Sequence, residues 1–507
     1  MLARVATFAI DGVQPRQVWV EVDIRAGLPA FTVVGLGDTA VRESRDRIRA
    51  AILNSGFKFP DGRITANLAP AFLRKAGPGF DTALALAVLA ASAQVPADAL
   101  AGCAVFGELS LGGELRDSPG ALAVAEGARG AGCTRLIVPR SRAREAALVE
   151  DLVVVAVASL KAAAEVLDGG APPPLPPGPD RERARATGSP DLADVRGHPV
   201  PLLALEIAAA GGHNLLLEGA PGTGKTMLAR RLPGILPPLT RAEAIEVTRI
   251  HSVAGVHADG LIGARPFRAP HHTISPAGLA GGGLPPRPGE ATLAHQGVLF
   301  LDELSEFQRT SLDALRQPLE DGHVTIVRGQ RSLRFPTRFM LVAATNPCPC
   351  GFAGIDDRCS CGEADLRRHR RRLSGPLLDR MDMLVDVRRP SDADLRTSPH
   401  TCSADALARV TEARERQRRR LAGTGAACNS EMGGGMMGSS LGLDRRAEAE
   451  LGHAYKVGLL SARGRHRVLR VARTIADLAG RERVTRADVL LALSLRQQAG
   501  VEVHAVP

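Results

Sequence analysis

Apolar and polar residues alternate over Val18–Ile24 (Val-Trp-Val-Glu-Val-Asp-Ile), the period of two of a half-buried strand. The period then lengthens. Val41, Ile48 and Ile52 recur at helical spacing, with Asp38 placed to cap and Gly56 to stop, which predicts a helix over 38–55. A second mixed unit follows, with a helix around Ala83–Ala93 and short strands near Val105–Leu109 and Leu136–Pro139. These predict a compact α+β domain over residues 1–168. Between 169 and 190 the periodicity stops. Gly-Gly-Ala-Pro-Pro-Pro-Leu-Pro-Pro-Gly-Pro forms no packed core and reads as a semi-rigid linker. From 191 to 393 strands are again followed by helices, an α/β pattern with short apolar strands at Leu215–Glu218, Val298–Leu301 and Met340–Thr345. The remainder, 394–507, reads as helical over Ala404–Leu421, Arg445–Leu460, Arg465–Gly480 and Arg486–Ala499. Its Gly- and Met-rich stretch at 432–440 reads as a surface loop.

No apolar run approaches the ~20 residues that a membrane span needs. Arg4 and Asp11 interrupt the N-terminus, so no signal peptide is read and the expected location is the cytoplasm, with no membrane partner. The net charge of +10 over 507 residues points to a polyanionic partner, and most of the excess falls from His400 onward. Only five lysines are present (Lys58, Lys75, Lys161, Lys225 and Lys456), so the basic charge is carried by arginine. With aromatics at 3%, contacts to nucleic acid are expected at phosphates rather than by base stacking.

The chemistry begins after Leu215–Glu218. Gly219-Ala220-Pro221-Gly222-Thr223-Gly224-Lys225-Thr226 follows that strand and opens a helix, the order that a phosphate-binding loop requires. Its glycines let backbone N–H groups close on an anion, Lys225 neutralises the β- and γ-phosphates, and the Thr226 hydroxyl ligates Mg²⁺. Val298–Leu301 ends in Asp302 and Glu303, placing a second Mg²⁺ ligand and a water-polarising carboxylate at a strand's C-terminal end. Met340–Thr345 ends in Asn346, a polar group able to orient the same water. These features read as an ATPase using ATP and Mg²⁺.

Four of the eight cysteines cluster as Cys348-Pro-Cys350 and Cys359-Ser-Cys361. Two thiol pairs across a loop suit a tetrahedral Zn²⁺ site, or else reduced thiols packed in a knuckle. Cys103, Cys133, Cys402 and Cys428 are scattered and read as buried or inert. His271 and His272 are adjacent, are expected to point in different directions, and read as a loop feature. The runs Arg367–Arg372 and Arg414–Arg420 are either phosphate contacts or solvated helix faces, with Arg418, Arg419 and Arg420 left over from helix-surface pairing.

Longer strings carry a resemblance. Asp194-Val-Arg-Gly197, Gly211-Gly-His-Asn-Leu-Leu-Leu-Glu-Gly219, Pro270-His-His-Thr-Ile-Ser275, Pro286-Arg-Pro-Gly-Glu290, Leu293–Glu303, Asn346-Pro-Cys-Pro-Cys-Gly351 and Ser374-Gly-Pro-Leu-Leu-Asp-Arg-Met-Asp382 together resemble the magnesium-chelatase-like ComM/YifB group of bacterial AAA+ proteins, over nearly the whole chain. The resemblance implies an AAA+ P-loop core with a helical lid, assembled as a homo-hexamer with ATP at each subunit interface. By motif position Asn346 resembles sensor 1. Arg380 resembles an arginine finger, the alternative being an ion pair with Asp379 or Asp382. Arg463, or else Arg467, resembles sensor 2. The segment 322–336 alternates on both sides of Gly329-Gln330 and reads as a β-hairpin. In this group such a hairpin projects into the ring pore, so Arg328, Arg331 and Arg334 either grip a DNA backbone or form a solvated face. Gly281-Gly-Gly283 resembles the group's other mobile insertion.

The N-terminal unit resembles the Lon-protease (ribosomal S5 domain 2-like) fold. Asp81 stands where that fold carries its serine nucleophile, and no lysine lies near Gly120-Ala-Leu-Ala123, so a non-catalytic scaffold is expected. The function implied is a DNA-acting motor for branch migration, or helicase activity, in recombination during natural transformation. A chelatase-type or other protein-remodelling ATPase is the alternative, although no D-x-S-x-S run is present. An ATP-dependent protease is opposed by Asp81 and the missing lysine.

Overall fold

The computed structural model describes residues 2–496 apart from 36, 38, 76, 78, 178–189, 257–259, 284–285, 329–330, 354–357, 373–374, 398–400 and 437–440. Asp38, the Gly329-Gln330 turn, residues 178–189 of the linker and the end of the 432–440 loop therefore lie outside the described residues.

The alternation at Val18–Ile24 sits inside a longer strand, Gln14–Arg25, paired antiparallel with Leu2–Asp11 so that Val5 opposes Val20. Val18, Val20 and Val22 are buried on one face. Seven strands form a mixed sheet in the order Ala30–Val34, Arg63–Ala69, Gln14–Arg25, Leu2–Asp11, Cys103–Val105, Arg135–Pro139 and Val153–Val157. Helices pack on both its faces, Ala121–Gly130 on one and the pair Thr39–Asn54 and Asp81–Ala91 on the other. Thr39–Asn54 buries Val41, Ile48 and Ile52, while Asp81–Ala91 is buried at every position and so carries no amphipathic stripe.

The second sheet has five strands, all parallel, in the order Phe267–Arg268, Val298–Leu301, Met340–Thr345, Leu215–Glu218 and Met383–Asp386. Its residues are apolar on both sides because both faces are covered. Leu215, Leu217, Val298, Phe300, Val342 and Ala344 point into a core shared with the helix Pro199–Gly211 and the C-terminal helices. Leu216, Leu299, Leu301, Leu341 and Ala343 point into a second core on the other face. Each Leu, Val or Phe among them contributes about 1.5–3 kcal/mol on leaving water.

Four helices, Ser403–Arg420, Arg445–Lys456, Ala462–Leu478 and Arg486–Ser494, share the first core. They are pinned by a buried polar network in which Asp477 accepts both terminal nitrogens of Arg420 at 2.7 Å and pairs with Arg473 at 3.0 Å. Arg418 and Arg419 pair with Glu415, so no residue of that arginine triplet is left over as the sequence reading expected. Met432, read as part of a surface loop, is fully buried in the same core.

The two sheets are joined directly. The helix Arg241–Ala254 lies against the helix Ala121–Gly130, where Ser252 Oγ donates to buried Glu145 and accepts from the Gly120 N–H. Arg249 pairs with Glu126 and Arg241 with Glu150. An apolar cluster of Val13, Ile250, Ala280, Leu293, Val324 and Phe335 fixes the base of the hairpin His323–Arg328/Arg331–Pro336 between the N-terminal sheet and the core.

Candidate active site

Three neighbouring strands of the parallel sheet end at the same edge, and each delivers one piece of the site. Leu215–Glu218 delivers the P-loop, Val298–Leu301 delivers Asp302 and Glu303, and Met340–Thr345, which runs between them, delivers Asn346. In the loop, Gly222 and Gly224 take φ of +77° and +92°, a conformation that costs other residues energy. Gly219 is required for a different reason, since a Cβ there would lie 2.3 Å from the Val387 carbonyl oxygen.

Lys225 is nearly buried, and its Nζ donates to the carbonyls of Gly219 (2.6 Å) and Ala220 (2.9 Å) and to Asn346 Oδ1 (3.1 Å). Burial pulls its pKa below the usual lysine value, while Asp302, Glu303 and Glu218 push the other way. Thr223 Oγ1 closes the loop on the Ala220 carbonyl. Thr226 Oγ1 donates to Asp302 Oδ2 at 2.7 Å, so a hydroxyl and a carboxylate oxygen meet beside the loop. Two hard oxygen donors so placed fit a Mg²⁺ ion. The helix that opens at Lys225 spans only Lys225–Ala229.

Glu303 is the one site residue with a strained backbone, at φ 53° and ψ 50°. Its carboxylate is 3.6 Å from His272 Nδ1, and the His272 ring packs against His271 at 4.1 Å and edge-on to Phe307. The two histidines therefore do not diverge as expected of adjacent residues. Sequence reasoning missed His272 as a site residue. Its signal was the Pro270-His-His-Thr-Ile-Ser275 string, which alone does not say what the ring touches.

Arg380, Arg463 and Arg467 are not at the P-loop. They line a separate cleft of about 720 Å³ together with Arg470, Asp379 and Asp382, and no P-loop residue lines it. Arg380 is mostly buried and donates to Glu320. Arg467 lies 3.7 Å from Asp382, and burial pulls its guanidinium down to about 10 against the attraction of that carboxylate. Arg463 is exposed at the start of the helix Ala462–Leu478. Asn214 anchors this wall, accepting from the Leu341 N–H and donating to the Arg380 carbonyl, while its own N–H bonds Asp382.

The cysteines of the cluster converge. The Sγ atoms of Cys348, Cys350, Cys359 and Cys361 all lie within 4.8 Å of one another. Cys103, Cys133 and Cys428 are buried, and Cys402 caps the helix Ser403–Arg420. In the hairpin, Arg328 and Arg331 are register partners beside the turn, and exposed Arg334 contacts His323. Strand alternation puts Arg334 on the face opposite buried Phe335. The run 367–372 lies in the helix Glu363–Arg372, where Arg367, Arg368 and Arg372 reach Glu363, Asp365 and Glu306 at 3.6–3.9 Å. In the N-terminal unit Asp81 is buried and held by Arg47 at 2.9 and 3.2 Å, yet burial raises its pKa to about 6. Among the described residues no helix is long and apolar enough to cross a membrane.

Three family models match in chain order. Subunit ChlI of Mg-chelatase matches residues 20–142, the magnesium chelatase subunit ChlI matches 191–395, and the ChlI C-terminal model matches 400–496. Whole-length relatives are also found. The Mycobacterium tuberculosis protein Rv2897c is 42% identical over 98% of this chain and 99% of its own. YifB of Salmonella typhimurium is 42% identical over 99% and 98%. Competence protein ComM of Haemophilus influenzae is 41% identical over 98% and 97%. With identity at this level running end to end, the chain belongs to the YifB/ComM family of magnesium-chelatase-like AAA+ proteins.

Proposed function

We propose that the protein is a cytoplasmic, hexameric ATPase that moves along DNA and drives branch migration or strand separation in recombination during natural transformation. The observation that carries the ATPase reading is the meeting of Lys225, Thr226, Asp302, Glu303 and Asn346 at one edge of three adjacent parallel strands. The DNA reading is supported by the arginine-bearing hairpin, the net charge of +10 and a relative whose name is a competence protein.

In this reading the P-loop N–H groups and Lys225 hold the ATP phosphates. Thr226 and Asp302 would hold Mg²⁺, which when bound neutralises charge on the β- and γ-oxygens. Glu303 polarises the attacking water and Asn346 orients it. Arg380 reaches the γ-phosphate on a neighbouring subunit, because it faces a cleft away from its own P-loop. Arg463 or Arg467, on the same cleft, follows it in trans. The hairpin then carries the stroke to a phosphate backbone. The four thiols are the site of a structural Zn²⁺, and the N-terminal domain is a scaffold.

His272 acts as a positioning residue for Glu303. His272→Ala is expected to lower kcat about 10- to 100-fold, the cost of a misplaced catalytic group, with ATP affinity within twofold of wild type. Steady-state kinetics and fluorescent ATP-analogue binding separate the two; an equal loss in both would make His272 a folding residue.

The decisive experiment is ATP-dependent strand displacement on a labelled three-stranded DNA junction. Wild type is expected to displace the strand. Neutralising Arg328, Arg331 and Arg334 together is expected to leave ATP binding intact and to flatten the salt dependence of DNA affinity by roughly 2–3 in log–log slope. Absence of displacement, with ATP turnover indifferent to any DNA, would instead indicate a chelatase-type or other protein-remodelling motor.

A further inference from the structure

The cysteine cluster lies within two residues of the nucleotide site and is tied to it from three sides. Cys348 follows Asn346 by two positions, and Asn346 Oδ1 accepts from Lys225. On the far side, Cys361 leads into the helix Glu363–Arg372, whose buried His369 turns back to bond the Asn346 backbone carbonyl at 2.8 Å. The chain thus runs from Asn346 through the thiols and returns to Asn346. Between the two thiol pairs, Gly351 sits flat on the P-loop. Its φ is +88°, and a Cβ there would stand 2.5 Å from Pro221 Cδ.

The thiols themselves are arranged for a metal. Cys348 Sγ is 3.2 Å from Cys350 Sγ and 3.9 Å from Cys359 Sγ, and Cys350 Sγ is 3.6 Å from Cys359 Sγ. Four sulfurs at about 2.3 Å from one Zn²⁺ are spaced by just under 4 Å in a tetrahedron, so the cluster fits with small adjustments. Cys348 Sγ also accepts the N–H groups of Gly351 and Ala353, each at 3.2 Å, as a thiolate does in a metal-binding turn. Among the described residues between Pro347 and Gly362 only Cys348 and Gly351 are buried, so those residues bring little apolar packing of their own. A bound metal would constrain them instead.

We propose that the four cysteines hold a zinc ion that braces Asn346 and the P-loop wall, so that zinc and ATP are thermodynamically coupled ligands of one site. This rests on the ATPase reading above. Coupling is reciprocal, so whatever factor zinc adds to ATP affinity, ATP must add to zinc affinity; typical values are about 5–150-fold.

The test uses the full chain. Zinc content, mant-ATP affinity and the rate of zinc transfer to a chromogenic chelator are measured for wild type, Cys361→Ser and Gly351→Ala. Wild type is expected to carry about one zinc per chain and to lose mant-ATP affinity by about 5–150-fold on chelation, with recovery when zinc is returned. Saturating mant-ATP is expected to slow zinc transfer. Cys361→Ser is expected to lack zinc and to bind mant-ATP weakly whether or not zinc is added. Gly351→Ala keeps all four thiols and is expected to retain zinc while binding mant-ATP several-fold less well, which separates the brace from the metal site itself. A chain that takes up no zinc overturns the proposal. So does a chain whose mant-ATP affinity is the same with and without zinc. If zinc-loaded wild type bound no mant-ATP at all, the ATPase reading itself would fail.

Discussion

Glu303→Gln is expected to bind ATP and assemble like wild type while losing turnover by about 10²–10⁴-fold, the usual contribution of a positioned general base. The substitution keeps the shape of the side chain and leaves the Thr226–Asp302 bond and the Lys225 contacts untouched. Its backbone constraint is unchanged as well, since Gln meets the same cost at φ 53° as Glu. Lys225→Ala should act earlier. It removes the cation that the loop carbonyls and Asn346 hold in place, and with it charge-assisted bonds to phosphate of about 1.5–3 kcal/mol each, so ATP affinity is expected to fall about 10- to 100-fold or more. Analogue binding followed by single-turnover hydrolysis distinguishes the two variants. Full turnover by either one would refute the site.

Arg380→Ala is expected to abolish hydrolysis nearly as completely, by about 10³-fold or more, without weakening ATP binding to the same chain. The reason is placement. Arg380 shares a cleft with Arg463 and Arg467 on which no P-loop residue appears, so in the proposed reading its target phosphate is that of another subunit. Mixing Arg380→Ala with Lys225→Ala chains should then restore activity that neither has alone, because one of the mixed interfaces pairs an intact P-loop with an intact arginine. Structural damage would not be rescued in this way. Some loss of stability is expected as well, because Arg380 is mostly buried and its pair with Glu320 is broken, so thermal unfolding of Arg380→Ala is measured alongside. If the mixture stayed inactive while both chains assembled together, Arg380 would not be acting in trans.

The parts of the protein legible in its sequence are those whose cause is local. A half-buried strand shows its period over Val18–Ile24, and a phosphate loop needs its glycines, lysine and threonine within eight residues, 219–226. Strands buried on both faces, such as Val298–Leu301, announce themselves as apolar runs ending in acids. The same locality explains what was misjudged. The loop at 432–440 looked like a surface insertion because nothing in its composition shows that Met432 reaches the core. The arginines at 418–420 looked surplus because the partner of Arg420, Asp477, lies 57 residues away. His272 seemed a loop residue because only folding brings its ring to Glu303.

Sequence by itself therefore determined several of the elements and the phosphate-loop motif, since both depend on residues a few positions apart. Only the tertiary structure decided which arginines share a cleft, that Arg380 turns to Glu320, and that the four thiols lie against the P-loop through Gly351 and Pro221. Those pairings are contacts between segments brought together by burial of the sheet's two faces, and burial acts on surface area rather than on sequence neighbours.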